Sequence, residues 1–296
     1  MPRLDWPHRS GWRVFDERDP AGGRATAWLF LTHPGPSLLV TIVLVAAAGL
    51  LTRHLPSART AVGLTLLMLP AQLGIGALND WADVDADRAA KPFKPIVRGA
   101  VSRNAALTAA LAGFVVSLAT AAWLGLDVLA AALLAVGAGV SYDLWLKRTP
   151  AAVLAWWAGL ATIPLLAMVI TGSLRGAVAE VPLAGLLALS LHLANGLPDA
   201  DGDRLAGAMT LASELGPGRS RSVIGASLLV AAVAMVLARS ALGQDNLAFL
   251  AAGLTAVGAL VVVLPHAVRR LAFPLLALLA GAAAVSWLAA LPAAAG

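Results

Sequence analysis

The chain has 296 residues, of which 59% are hydrophobic and only 12% are charged. Soluble domains carry about 25% charged residues, so this composition excludes a soluble globular protein. The chain contains no cysteine, which excludes disulfide bonds and thiolate metal sites. Its net charge of +5 is typical of membrane proteins whose loops face anionic lipid, and we expect no nucleic-acid partner.

The first 27 residues are polar, and we expect them to form a cytoplasmic N-terminal segment before a single transmembrane domain over residues 28–296. This segment has no apolar run of the kind found in cleavable signal peptides. Beyond it, apolar runs long enough to cross a bilayer recur as far as the C-terminus. They cover residues 28–52, 60–79, 104–123, 126–146, 151–172, 178–197, 222–239, 246–265 and 271–291. The sequence therefore predicts an all-α polytopic membrane protein with nine transmembrane helices.

The distribution of Lys and Arg predicts how these helices cross the membrane. With the N-terminus inside, 17 of the 21 Lys and Arg residues lie on the inner side. The outer side keeps Arg53, Arg59, Arg175 and Arg239. Because cytoplasmic loops carry the excess of positive charge, we expect the N-terminus inside and the C-terminus outside. The excess of Arg over Lys and the Ala-rich helices are typical of GC-rich bacterial genomes, so we expect a bacterial plasma membrane.

Two acidic segments repeat in register along the chain. Asn79–Arg88 reads NDWADVDADR, and Asn195–Arg204 reads NGLPDADGDR, 116 positions later. Together they hold seven of the 16 acidic residues, and each follows an apolar run directly. Spans one to four and five to eight therefore form two parallel four-helix repeats, with the ninth helix left over. We expect the functional site at the interface of the repeats, in a central cavity under a cytoplasmic cap formed by the loops of about 80–103 and 196–221.

The spacing of the carboxylates predicts a metal site. If the helix continues past the second span, Asp80, Asp83 and Asp87 share one face, at i, i+3 and i+7. The second segment repeats this arrangement, at i, i+4 and i+8, with Asn195, Asp199 and Asp203. Crowded carboxylates need cations, and divalent metals with oxygen ligands are the usual answer; a solvated acidic loop is the alternative. Two further carboxylates point away from these faces, as solvated or supporting groups: Asp85 and Asp201.

The basic residues beside the carboxylates indicate which chemical group the metal would bind. The three Lys residues of the chain all lie in predicted inner loops: Lys91, Lys94 and Lys147. Two prolines stiffen the stretch of residues 91–95, so that its ammonium groups hold a defined position. A metal held by carboxylates and surrounded by Lys and Arg suits a diphosphate, because Mg²⁺ bridges phosphate oxygens and the cations neutralise the remaining charge. Each basic residue taken alone is also typical of a positive anchor at the inner membrane surface.

These motifs resemble those of the UbiA superfamily of intramembrane prenyltransferases. The likeness covers nearly the whole chain and rests on both acidic segments, on KPFKPIVRG at residues 91–99, on residues 199–212, and on the Tyr142–Lys147 element. The resemblance implies Mg²⁺ as the cofactor, bound by Asp80, Asp83, Asp87, Asp199 and Asp203. We expect the donor diphosphate to be bound by Asn79, Arg88, Lys91, Lys94, Lys147, Asn195 and Arg204. The sequence departs from the family pattern at His33-Pro34, where Arg-Pro is common, and at Lys94, where Arg is common.

The resemblance implies transfer of an isoprenyl group from a polyprenyl diphosphate to a small-molecule or lipid acceptor. The allylic C–O bond ionises as the diphosphate leaves, inside a chamber that excludes water. Asp80, Tyr142 and Lys147 are the candidates to orient the acceptor or take its proton.

We expect an aromatic quinone precursor as the acceptor. The alternatives within the family are a glycerol phosphate, a phosphorylated sugar, a porphyrin, or terpene cyclisation without an acceptor. A transporter that couples to ions is the alternative class. It predicts ionisable residues in the middle of the spans, whereas these charges gather at the helix ends.

Overall fold

The computed structural model describes residues 20–174, 177–205, 207–238, 245–261 and 272–291. Within these ranges the regular elements are helices and no strand occurs, which confirms the all-α prediction. Some predictions lie outside the described residues: the N-terminal segment up to residue 19, residues 262–265 and 271 of the last two predicted spans, and the orientation residues Arg175, Arg239, Arg269 and Arg270.

Helices follow one another along the described chain. The first are α1 (Pro20–Leu31), α2 (Pro34–Thr52), α3 (Ala58–Ala90), α4 (Arg103–Leu124) and α5 (Leu126–Ser141), which a π-helical turn (Tyr142–Leu146) extends. The others are α6 (Ala152–Thr171), α7 (Ala177–Gly196), α8 (Ala200–Leu205), α9 (Leu211–Ala238), α10 (Asp245–Val261) and α11 (Ala272–Ala290). Of these described helices, seven are long and apolar enough to cross a membrane, namely α2 to α6, α9 and α11. The other two predicted spans correspond to α7 and α10.

A corner at Thr32 and His33 divides the first predicted span, residues 28–52, into two helices. α1 ends at Leu31, and α2 begins at Pro34, whose fixed φ suits the first turn of a helix. A proline disfavours the helical conformation in the residue before it. His33 lies outside the right-handed helical region, in the left-handed one, with φ 48° and ψ 56°. The chain therefore turns here rather than running as one helix from residue 28.

The long helix α3 carries the first acidic segment through to its end. Ser57 caps its N-terminus by accepting a hydrogen bond of 3.2 Å from the Thr60 backbone N–H. The helix then runs for 33 residues to Ala90, just before the sequence Lys91-Pro92, where proline again prevents continuation. The stretch from residue 80, expected as the start of a loop, is therefore helical as far as Ala90.

Small residues bring α3 and α4 into close contact. A Cβ atom at Gly74 would lie 2.9 Å from the Ala110 carbonyl oxygen, and one at Gly113 would collide with the Pro70 carbonyl. Glycine at these positions therefore lets the two backbones approach each other.

The packing of the helices follows the predicted repeats. In the first group α2 packs on α3, α3 on α4 and α4 on α5; in the second, α6 packs on α7, α7 on α9 and α9 on α10. The two groups meet where α6 contacts both α2 and α5, and α11 packs against α10 and α2. The first helices of the two repeats, α2 and α6, thus lie side by side between the groups.

The seventh predicted span, residues 222–239, begins earlier than expected. α9 starts at Leu211 and is interrupted at Gly216, where φ is 74° and ψ is 167°, directly before Pro217. Glycine adopts a positive φ at no steric cost, and proline cannot donate a backbone hydrogen bond, so the pair kinks the helix. The predicted loop 196–221 therefore contains α8 and the first turns of α9.

Candidate active site

Two buried aspartates near the end of α3 share one ammonium group. Asp80 and Asp87 are 3% and 4% exposed. Lys94 Nζ lies 2.7 Å from Asp80 Oδ1 and 2.7 Å from Asp87 Oδ2, whereas Lys91 Nζ lies 3.9 Å from Asp87 Oδ1. The Lys94 backbone N–H donates to the Lys91 carbonyl at 3.1 Å, which folds the chain back after α3. Asp80 and Asp87 therefore project from the same face of α3, as their spacing predicts.

Lys94 remains charged at neutral pH. Burial alone lowers the pKa of its ammonium group, but the hydrogen bonds and charges of Asp80 and Asp87 outweigh this effect, so the pKa of Lys94 lies above its ordinary value of 10.5. The pairing therefore contributes stability throughout the neutral range, and the contribution of Lys94 is lost as the pH rises through its raised pKa.

Asp83, one turn after Asp80, pairs with a different cation. Lys147 Nζ lies 2.7 Å from Asp83 Oδ1, in an ion pair, and Arg148 Nη2 lies 3.5 Å from the same oxygen. Lys147 directly follows the π-helical turn, in which its backbone N–H donates to the Tyr142 carbonyl, five residues back, at 3.0 Å. The structure thus brings the Tyr142–Lys147 element against the first acidic segment.

Asp85 points away from this cluster, as its position predicts. Its side chain is 69% exposed and pairs with Arg88 at 2.8 Å and with Arg103 at 3.8 Å. Arg88 was expected to bind diphosphate. Here it makes an exposed pair on the side of α3 that does not face Lys94.

His33 also contacts the first acidic segment. Its Nε2 lies 3.2 Å from Asp80 Oδ1, at the position where the sequence has His in place of the common Arg. The corner fits because residue 76, one turn before Asp80, is a glycine. A Cβ there would lie 2.9 Å from the Thr32 carbonyl oxygen and 3.0 Å from His33 Cδ2. The residue that replaces the common Arg therefore still touches the acidic segment.

Asp143 also lies at this site, and the sequence analysis missed it. Its carboxylate is 2% exposed, and Oδ1 accepts a hydrogen bond of 2.7 Å from Asn79 Nδ2. Among the residues that the structure describes, Oδ2 has no hydrogen-bond partner. The available signal was an acidic residue in the last turn of an apolar span, between Tyr142 and Lys147.

The second acidic segment does not continue its helix. α7 ends at Gly196, residues 197–199 form a turn, and α8 covers Ala200–Leu205. The predicted single face shared by Asn195, Asp199 and Asp203 is therefore wrong, because Pro198 prevents the helix from running on.

The carboxylates of this second segment have fewer partners. Asp199 and Asp201 are exposed, and Asp203 accepts a hydrogen bond of 3.3 Å from Thr210 Oγ1. Within the described ranges no Lys or Arg pairs with any of them. Arg204 donates to the Ser213 carbonyl and so connects α8 to α9. Among the residues that the structure describes, no cation therefore neutralises the second segment.

A row of rings connects the two acidic segments. The Tyr142 ring lies 6.3 Å from the Trp156 ring of α6, edge to face, and Trp156 lies 5.6 Å from the His192 ring of α7. Phe273 of α11 also contacts Trp156, at 6.4 Å. Tyr142 adjoins Asp143, and His192 stands one helical turn before Asn195. Both acidic segments therefore lie at the same end of the bundle, on either side of Trp156.

The side chains fit a hard divalent cation only in part as they stand. Over the described part of the chain, no three His, Asp or Glu side chains converge into a ready-made metal centre. The donors are nevertheless oxygen atoms, and one ammonium group bridges Asp80 and Asp87 at 2.7 Å each, so a single small cation could contact both. In this structure Lys94 and Lys147 supply the positive charge that these carboxylates require.

Two cavities are found elsewhere in the described residues. A groove of about 570 Å³ lies between the first turns of α3 and the last turns of α4, at the opposite end of α3 from the aspartates. A narrow void lies among α7, α9, α10 and α11. Neither is lined by the acidic segments, and the central chamber under a cap stays a prediction.

An all-α membrane bundle with paired acidic segments at one end defines a membrane-embedded enzyme of the prenyltransferase class. The model of the UbiA prenyltransferase family matches residues 38–272. The chain belongs to this family, which confirms the resemblance stated on the motifs.

Individual relatives support the same conclusion. The digeranylgeranylglyceryl phosphate synthase of Thermococcus kodakarensis is 30% identical over 241 residues, which are 76% of this chain and 82% of that protein. A solved digeranylgeranylglyceryl phosphate synthase has a TM-score of 0.72 at 15% identity, covering 90% of this chain and 96% of its own. A UbiA homologue from Archaeoglobus fulgidus, solved with GPP and Mg²⁺, has a TM-score of 0.68 at 20% identity. The match covers 88% of this chain and 99% of that chain. The protein is thus an integral membrane prenyltransferase with the UbiA fold.

Proposed function

We propose that this protein transfers an isoprenyl group from an isoprenyl diphosphate to the hydroxyl group of a glycerol-phosphate lipid, with Mg²⁺ as cofactor. The observation that carries the proposal is the cluster of carboxylates at the end of α3, in which Lys94 bridges Asp80 and Asp87 and Lys147 pairs with Asp83. A second acidic segment, which no described Lys or Arg pairs with, lies at the same end of the bundle. Such a combination can hold both a metal and the charged oxygens of a diphosphate.

The aspartates are the residues that would hold the metal. They are Asp80, Asp83, Asp87, Asp199 and Asp203. Mg²⁺ supplies charge neutralisation for the departing diphosphate when it is bound. The structure from Archaeoglobus fulgidus, solved with GPP and Mg²⁺, supports Mg²⁺ as the cation.

The lysines have a second task in this proposal. Lys94 and Lys147 neutralise the carboxylates in the protein alone, at 2.7 Å from their oxygens. A cation held by the carboxylates would free both ammonium groups for phosphate oxygens. They then stabilise the negative charge that grows on the diphosphate as the allylic C–O bond breaks. Lys91, 54% exposed, and Arg88, 66% exposed, contribute at the edge of the site.

The aromatic row provides the apolar side of the site. An allylic cation reacts with water, so the transfer needs a lining that excludes it. Trp156 lies between Tyr142 and His192, and its ring face attracts positive charge. We assign Trp156 to the wall against which the first isoprene unit lies.

The acceptor is the finer part of the proposal. The similarity to digeranylgeranylglyceryl phosphate synthases supports a glycerol phosphate, the alternative of the sequence analysis, better than the aromatic quinone precursor that was first expected. A hydroxyl acceptor must lose its proton when its oxygen forms the new C–O bond. Asp80, Tyr142 and Lys147 remain the candidates to receive or relay that proton.

We place the site at the cytoplasmic face. The end of the bundle that carries Lys91, Lys94, Lys147 and Arg148 is also the end that carries the acidic segments. A concentration of Lys and Arg is typical of the cytoplasmic side of membrane proteins.

A transfer assay tests this function. Purified protein in lipid nanodiscs receives radiolabelled geranylgeranyl diphosphate with Mg²⁺ and either geranylgeranylglyceryl phosphate or 4-hydroxybenzoate. We expect label in the glycerol-phosphate lipid, and none when EDTA replaces Mg²⁺. Label only in the aromatic product would overturn the assignment of the acceptor. The absence of both transfer products, with or without a cyclic product, would overturn the proposed transfer reaction.

A further inference from the structure

Asp143 is a buried carboxylate to which the proposed function gives no role. It is 2% exposed and lies in the π-helical turn that extends α5. Oδ1 accepts from Asn79 Nδ2 at 2.7 Å, while Oδ2 has no hydrogen-bond partner among the described residues. A buried polar atom without a partner is costly, and π-helical turns are frequent at functional sites. Asp143 therefore acts, within the described residues, through its hydrogen bond to Asn79.

The chemistry of this hydrogen bond determines how the Asn79 amide is oriented. An ionised carboxylate can only accept hydrogen bonds, so Asn79 must turn its NH₂ group, and not its carbonyl oxygen, toward Asp143. The carbonyl oxygen then faces away from Asp143, and no described residue donates a hydrogen bond to it. Asn79 immediately precedes Asp80, which Lys94 and His33 contact at 2.7 Å and 3.2 Å. Among the described residues, the amide thus offers an oxygen without a donor beside the first acidic segment.

We propose that Asp143 is a positioning residue that acts through Asn79: its hydrogen bond holds the amide so that the carbonyl oxygen joins the carboxylates of the first acidic segment as a ligand for a divalent cation. This inference rests on the proposed function. It also changes the role of Asn79 from a donor to the diphosphate into a ligand of the cation, since hard cations prefer amide and carboxylate oxygens. Removal of a group that orients a metal ligand typically weakens metal binding by about 10–100-fold.

Binding of Mn²⁺ in the presence of inorganic pyrophosphate tests the inference without catalysis. Free Mn²⁺ is measured by electron paramagnetic resonance with the full-length wild type, D143N, N79A and the double variant N79A/D143N. In D143N either amide can donate to the other, so the orientation of Asn79 is no longer imposed. We expect D143N to weaken Mn²⁺ binding by about 10–100-fold, and to cause no further loss when N79A is already present.

Controls separate this role from a merely structural one. D85N removes an exposed carboxylate of the same helix, which pairs only with Arg88 and Arg103 among the described residues, and we expect it to bind Mn²⁺ like the wild type. Unchanged binding by D143N would overturn the inference. So would an equal loss from D143N in the wild-type and N79A backgrounds, because Asp143 would then act independently of Asn79.

A swapped pair keeps the inference testable if D143N folds poorly. N79D sets two carboxylates against each other, whereas N79D/D143N restores an amide–carboxylate pair in the reverse order. We expect N79D/D143N to bind Mn²⁺ more tightly than N79D and to unfold at a higher temperature; no recovery of binding overturns the role of Asp143. If the wild type itself bound no Mn²⁺ with pyrophosphate, the proposed function would fail as well, whereas normal wild-type binding with an unaffected D143N would remove only the role of Asp143.

Discussion

The two acidic segments share a sequence pattern but not an environment. The first lies on the continuous helix α3, where Asp80 and Asp87 are buried and Lys94 and Lys147 neutralise the carboxylates at 2.7 Å. The second follows the end of α7, partly on the short helix α8, and the structure shows no cation against its aspartates within the residues it describes. The carboxylates of the first segment are therefore balanced by Lys and Arg side chains, whereas no described Lys or Arg balances those of the second.

Because of this difference, substitutions in the two segments should change the stability and the activity of the protein to different degrees. A buried carboxylate contributes to stability through its counter-ion, and breaking such a pair leaves an uncompensated charge. An exposed and unpaired carboxylate can be removed with little effect on the fold. Substitution of a buried, paired carboxylate of the first segment should thus affect both properties, and substitution of a metal-binding carboxylate of the second should affect catalysis almost alone.

The largest effect is expected from the second segment. D199N should lower prenyl transfer by about 10³-fold or more, because a ligand of the metal is lost, while the unfolding temperature stays the same. Transfer of radiolabel and a thermal unfolding curve of the same preparation measure the two quantities. D201N is the matched control on the neighbouring exposed carboxylate and should retain near-normal transfer. Transfer near the wild-type level by D199N would contradict the paired-segment site.

The comparison is next tested at Lys94, which is 11% exposed. K94M leaves two buried carboxylates without their shared counter-ion, so the free energy of unfolding should fall by about 3–5 kcal/mol in the absence of metal. Because Mg²⁺ can replace the lost charge, its addition should recover part of this stability. Denaturant unfolding with and without Mg²⁺ provides the measurement.

K91M is the matched control for this experiment. Lys91 lies 3.9 Å from Asp87 and is 54% exposed, so its removal should change the free energy of unfolding by at most about 1 kcal/mol. If K94M and K91M were equally stable without metal, the first segment would not be neutralised in the way the structure indicates.

The smallest effect is expected at Arg88. R88Q breaks only an exposed pair with Asp85, worth about 0–1 kcal/mol, and should change kcat/KM by less than about 10-fold. Steady-state kinetics with the isoprenyl diphosphate as the varied substrate measure this change. A loss of more than about 100-fold would mean that Arg88 leaves Asp85 and reaches the diphosphate.

The features that sequence could predict are those set by local periodicity. Apolar runs locate the helices, and the spacing of Asp80 and Asp87 places them on one face of α3, because both depend on residues close together in the chain. The repeat also predicts the order in which the two groups of helices pack. The family motif indicates Lys94 and Lys147 as neighbours of these acids.

The features that sequence could not predict depend on distant contacts or on competing local rules. Asn79 and Asp143 are 64 residues apart, and only the packing of α3 against the end of α5 brings them together. The corner at His33 needs Gly76 on another helix to leave room for it. The repeat suggested one helical face in the second segment, but Pro198 outweighs that similarity and ends the helix.

The π-helical turn at the end of α5 has a consequence for how this enzyme can vary. A π-helical turn takes up one extra residue within a single turn, so deleting one position between 142 and 146 would restore ordinary winding and leave Lys147 near Asp83, while changing which side chains the turn itself presents to the site. The helices on both sides would keep their lengths and their lipid-facing surfaces. A single-codon insertion or deletion in this turn can therefore change the side chains at the proposed diphosphate site while the membrane-spanning helices stay as they are.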